Sequence, residues 1–160
     1  MIHPTAIVAS SARIAASARV GPYCVIGEDV EIGEECDLQA HLVVEGPIRI
    51  GKRNRFFPYS TIGVAPQDLK YKGERSETEI GDDNTIREFV TIHRGTTGGG
   101  NVTRIGNHCL VMAYSHIAHD SQVGNHVILG NGATLAGHVI LDDYVNVGAF
   151  SGVQIGRAHV

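Results

Sequence analysis
Nine histidines in 160 residues are many. Four of them, His93, His116, His119 and His138, stand where chemistry could be done. His116 and His119 lie in Tyr114-Ser-His-Ile-Ala-His-Asp120, and His138 follows Gly137. An imidazole has an ordinary pKa of ~6.5 and can accept a proton near neutral pH. A neighbouring carboxylate, here Asp120, would fix which ring nitrogen carries the hydrogen. A glycine such as Gly137 lets a ligand approach its backbone N–H, which can donate to a developing oxyanion. A base beside an oxyanion donor holds the parts for general-base catalysis. Two other readings stay open. In one, polar residues simply line the turns of a solvated repeat; in the other, His93, His116 and His119 hold zinc with an open fourth position. His3, His41, His108, His126 and His159 are scattered and read as exposed or structural.

These residues can act together only if the chain brings them together, and a six-residue period does so. Steps of six from Ile2 give Val8, Ile14, Val20, Ile26, Ile32, Leu38, Val44, Ile50, Phe56 and Ile62, without one polar residue. The walk resumes at Ile80, Ile86 and Ile92, and again at Ile105 through Val111, Ile117, Val123, Leu129, Leu135, Leu141, Val147 and Val153. A small or β-branched residue often stands four places later, as at Ala18, Cys24, Cys36, Val90, Cys109 and Ser115. Glycine often follows the aliphatic position directly, as at Gly33, Gly106 and Gly124. A 3.6-residue helical period cannot produce this pattern, and the glycine and β-branched content would weaken a helix. Short strands joined by turns fit it, with glycine expected to supply positive φ.

Each hexad then forms one face, and three faces close a triangular coil of eighteen residues. Coils stack at ~4.8 Å through bonds between their backbones. An all-β parallel solenoid, one domain over residues 1–160, is the expected fold. Its period alone sets His119 one coil from the Gly137-His138 backbone. Cys24, Cys36 and Cys109 take the small interior position and read as buried structural thiols.

Composition agrees. Hydrophobic residues make up 42% of the chain, yet there is no Trp and only 6% are aromatic, so aliphatic ladders must supply the core. A net charge of −4 argues against nucleic acid. No apolar run approaches the ~20 residues of a membrane span. The opening Met1–Ile14 lacks the pattern of a secretory signal, so a cytoplasmic protein is expected.

The repeat breaks in two places, at about residues 64–79 and 93–104, where polar segments without ladder positions read as inserted loops. Function in a solenoid is expected on such loops. Near the end, Val153 and Ile155 stand two residues apart, leaving a coil short of four residues. No polar cap follows.

Four motifs carry a resemblance. They are Ile62-Gly-Val-Ala-Pro-Gln-Asp-Leu-Lys-Tyr-Lys-Gly-Glu74, Ile86-Arg-Glu-Phe-Val-Thr-Ile-His-Arg-Gly-Thr96, His116-Ile-Ala-His-Asp120 and Leu135-Ala-Gly-His-Val139. From about residue 2 to Val153 the chain resembles the UDP-N-acetylglucosamine O-acyltransferases of lipid A biosynthesis, hexapeptide-repeat proteins. That resemblance implies a left-handed parallel β-helix and a homotrimer with active sites between subunits. It implies transfer of an (R)-3-hydroxyacyl chain from acyl carrier protein to the 3-hydroxyl of UDP-N-acetylglucosamine, without metal or other cofactor. It also assigns roles. His119 would be the general base, Asp120 its support and the Gly137 N–H the oxyanion donor. Gln67, Asp68, Lys70, His116 and His138 would contact substrate, His93 would line the cleft, and Lys70 with Lys72 and Arg75 would suit phosphate. The family continues with a Val-His-Gln-Phe segment, further coils and a helical C-terminal domain, where this chain reads Val153-Gln-Ile-Gly-Arg157. A shortened member of altered or reduced activity is therefore expected, the alternative being a trimeric scaffold or nucleotide-binding solenoid. Carbonic anhydrases of the gamma class resemble the fold too, but their paired histidines stand five apart and those here three.

Overall fold
Short strands, most of them two residues long, recur along the chain and sort by thirds into three parallel sheets of eight, seven and seven strands among the described residues. The computed structural model describes residues 1–154. The Ile155 ladder position and His159 lie outside the described residues. The first face runs from Ile7–Val8 to Gly152–Val153, the second from Arg13–Ile14 to Ile140–Leu141, and the third from Arg19–Val20 to Asn146–Val147. Register is that of the expected coil: Ile7 pairs with Val25 and Ile117 with Leu135, each eighteen positions on. The architecture is the left-handed parallel β-helix.

The aliphatic ladder is the core. Phe56, Ile62, Ile86, Ile92, Ile117, Leu129 and Leu135 are fully buried, whereas Ile2, at the first coil's open end, is 47% exposed. The smaller interior position is more polar than the sequence reading allowed, because Asn54, Ser60, Asn84 and Ser121 join the expected Ser115 there, all fully buried. They are tolerated because each finds partners. Asn84 donates through Nδ2 to Asn54 Oδ1 (3.0 Å) and the Gly106 carbonyl (2.9 Å), and its Oδ1 accepts the Cys109 N–H (2.8 Å). The three cysteines are free and buried, and burial pushes their thiols up, as suits structural positions.

The glycines do a different job from the one expected. Positive φ falls mostly on non-glycine corner residues, such as Tyr59 (64°), Asp120 (60°) and His138 (64°), each just before the small interior residue. The glycine after the ladder residue instead allows coils to stack. A Cβ on Gly106 would lie 2.6 Å from the Gly124 carbonyl oxygen.

Both insertions leave the prism at the same corner, between the first and second faces. Strands Thr61–Val64 and Glu77–Ile80 bound the first, and Thr91–His93 and Val102–Ile105 the second. The loops are thus shorter than expected, residues 65–76 and 94–101. Val64, Glu77–Glu79, His93 and 102–104 continue the strands, with Thr78 buried opposite Ile48. Thr61 pairs with Thr91, thirty residues on, and Thr91 with His116, twenty-five on. The first insertion therefore adds twelve residues to a coil and the second seven.

Candidate active site
The corner after the first face also carries Ala118–Ser121 and, one coil later, Ala136–Val139. Strand His116–Ile117 pairs with Thr134–Leu135, so the two corners lie directly against each other. The His138 N–H donates to the His119 carbonyl at 3.0 Å, tying them together. His119 packs its ring on Gly137: a Cβ there would sit 2.6 Å from His119 Nε2. Glycine is required at 137 because the imidazole occupies the space of a side chain.

His119 Nδ1 and Asp120 Oδ2 are 2.8 Å apart, with the histidine side chain 14% exposed and the carboxylate wholly buried. An ionised carboxylate only accepts hydrogen bonds, so Nδ1 carries the hydrogen and Nε2 is left with a lone pair. Nε2 lies beside Gly137, whose N–H has no hydrogen-bond partner among the described residues. A basic nitrogen and a backbone donor thus share one small space. His138 Nδ1 lies 3.9 Å from Asp120 Oδ2 on the open side, and its ring meets that of His119 edge-on at 5.0 Å.

On the preceding coil, His93 is buried and meets His116 edge-on at 4.7 Å. Burial, with help from His116, His119 and Arg94, pushes His93 down to about 4, so it is neutral at physiological pH. Its Nδ1 is buried without a partner among the described residues. Burial and His119 also lower His116, whose Nδ1 bonds Thr91 Oγ1 at 2.7 Å.

The structure therefore gathers six of the sequence candidates at one place: His93, His116, His119, Asp120, Gly137 and His138. Gln67, Asp68 and Lys70 form a separate group in the first inserted loop. That loop is on the same corner, two coils or about 10 Å toward the N-terminus. Gln67 and Lys70 are exposed, while Asp68 Oδ1 accepts the Lys70 N–H at 2.9 Å within the loop. Arg75, in the same loop, pairs with Asp29 at 3.0 Å.

Two residues of the site escaped the sequence reading. Arg94 fastens the first loop to the coil, donating to the Gly63 carbonyl (3.0 Å) and Tyr71 Oη (3.1 Å) and approaching Glu45 (3.6 Å). Thr96 donates its N–H to Asp120 Oδ1 (2.8 Å) and its hydroxyl to Oδ2 (2.6 Å). The only available signal was the position of both at the start of the second insertion.

The zinc trio imagined from sequence is not the group that converges. Among the described residues, the donors close enough to share an ion are His119, Asp120 and His138, all within 4.8 Å. Their chemistry does not fit a resident metal. Both Asp120 oxygens already accept hydrogen bonds, from Thr96 and His119, and the His119 nitrogen nearest the group is spent on the carboxylate.

A broad concavity runs along the second face from Arg13 to Asp143 without reaching His119. No helix among the described residues is long and apolar enough to cross a membrane. A model of bacterial transferase hexapeptides (six repeats) matches residues 103–137. Several solved structures are similar over nearly the whole chain. The UDP-N-acetylglucosamine acyltransferase of Francisella novicida is 48% identical with a TM-score of 0.95, over 96% of this chain and 56% of that one. The Campylobacter jejuni enzyme of the same name is 40% identical with a TM-score of 0.92, over 96% and 60%. The Arabidopsis enzyme is 35% identical with a TM-score of 0.78, over 96% and 61%. The chain thus spans less than two thirds of the length of these relatives.

Proposed function
Because the chain belongs to the UDP-N-acetylglucosamine acyltransferase family, we propose that it transfers an (R)-3-hydroxyacyl group from acyl carrier protein to the 3-hydroxyl of UDP-N-acetylglucosamine, the first step of lipid A biosynthesis. One observation carries this reading. A histidine oriented by a buried carboxylate packs its ring on a glycine whose N–H is unpaired among the described residues, and attack of a hydroxyl on a thioester requires such a base and such a donor.

In this mechanism His119 Nε2 takes the proton of the sugar 3-hydroxyl as the oxygen attacks the thioester carbonyl. The Gly137 N–H donates to the oxyanion of the tetrahedral intermediate. Asp120 keeps Nδ1 protonated and offsets the imidazolium charge. Collapse breaks the carbon–sulfur bond, and the imidazolium returns the proton to the departing thiolate. A base of this kind contributes about 10²–10⁴-fold. His138 and His116 border the acceptor, the neutral His93 lines the inner wall, and Gln67, Asp68 and Lys70 hold the nucleotide, with Lys70 suited to phosphate. The corner is open in one subunit, and a homotrimer would supply its opposite wall. The reading includes cytoplasmic location, where both substrates would be met.

The test is turnover of 3-hydroxyacyl-acyl carrier protein with UDP-N-acetylglucosamine by the 160-residue chain, beside His119→Ala. Transfer by the parent and a fall of at least 10²-fold in the variant support the reading. Nucleotide binding by both proteins without transfer by either would replace it with a binding solenoid.

A further inference from the structure
Asp120 is held from four sides, and three holds come from one insertion and the strand that ends it. The Thr96 N–H and hydroxyl donate to its two oxygens. Thr103 Oγ1 accepts its backbone N–H at 2.8 Å. Gly99 lies so close over the carboxylate that any Cβ there would overlap it. The fourth hold is His119 itself. Thr96 is buried, as are Thr103 and Asp120.

We infer that Thr96 is a positioning residue, and that the second inserted loop is a clamp that fixes the Asp120 carboxylate and through it the His119 ring over Gly137. This rests on the acyl-transfer reading for its purpose but not for its geometry. The hydroxyl matters more than its size. It is the second donor on Oδ2, the oxygen that also accepts from His119. Without it that oxygen keeps more uncompensated negative charge and favours the imidazolium over the free base. The other groups facing the pair are His138 at the open side, His116 and His93 behind, and Arg94 at the base of the loop. Thr96→Val alters none of them.

The experiment compares the full chain with Thr96→Val and Thr96→Ser. Its readouts are the pH dependence of kcat/KM and the pH midpoint of the His119 ring resonances by NMR. In Thr96→Val the acidic limb and the NMR midpoint both move upward by roughly 0.5 in pH, and kcat/KM at pH 7 falls roughly tenfold, about threefold at most from that shift and the rest from a less firmly aimed ring. Thr96→Ser keeps the wild-type profile. A Val variant with an unmoved midpoint, or a Ser variant displaced like the Val one, would overturn the clamp. If Thr96→Val does not fold, Thr96→Ala removes the same hydroxyl with less bulk and carries the same expectation. A parent that transfers no acyl group while the NMR midpoints still separate as stated would sink the proposed reaction and leave the clamp standing.

Discussion
At the scale of single residues, His93 is the one whose behaviour with pH follows most directly from its surroundings. Folded, it protonates at about 4; unfolded, near the ordinary ~6.5. Between those values the unfolded chain binds more protons, so stability rises with pH through that window and levels above it. The effect is on the order of 2–3 kcal/mol across the window. His93→Gln should flatten the dependence of urea midpoint on pH between 4 and 6.5; an unchanged slope would show that His93 is not its source. Gly137→Ala should cut acyl transfer by roughly 10²-fold while the fold persists, since the methyl takes the place of the His119 ring. Activity within a few-fold of the parent would contradict that packing. The cluster itself was readable in advance. His119, Asp120, Gly137 and His138 meet because an eighteen-residue coil must stack 119 on 137. Thr96 and Arg94 could not be read that way, since the path of an insertion obeys no period and its return over Asp120 is set by contacts made in space.

Among elements, the ladder and the corners divide the work. Inward aliphatics were legible because burial selects by size and apolarity, and the period exposes both. The polar interior was not, because periodicity registers a small residue at Asn54 or Asn84 without registering its bonds. Those bonds should be felt. Asn84→Ala strands the Gly106 carbonyl and the Cys109 N–H and leaves Asn54 Oδ1 only the backbone N–H of residue 84, and should destabilise the chain by about 2–4 kcal/mol. A calorimetric loss below about 1 kcal/mol would mean that water replaces the amide. The histidines set aside as scattered also belong to corner columns. His41 stacks between Tyr23 and Tyr59, and His126 between His108 and Tyr144, at 4.7–5.1 Å.

For the whole molecule, the proposed trimer predicts a mass in solution about three times the 17.1 kDa of one chain; light scattering on a sizing column that returns a monomer would remove the cleft between subunits. The two insertions have a broader consequence. Twelve extra residues and then seven enter at one corner, and seven is no multiple of the hexad, yet every later strand pairs as if nothing had intervened. Pairing between neighbouring coils, not counting along the chain, restores the stack. Length thus varies at that corner, among the described residues, without disturbing the stack. One alanine added after Gly73, where the backbone faces open space, should leave the melting temperature almost unchanged. One added after Gly124, inside a tight turn, should lower it by many degrees. Equal losses would refute the distinction. A solenoid so arranged can try new substrate-facing loops one residue at a time, while the scaffold that aims its base stays untouched.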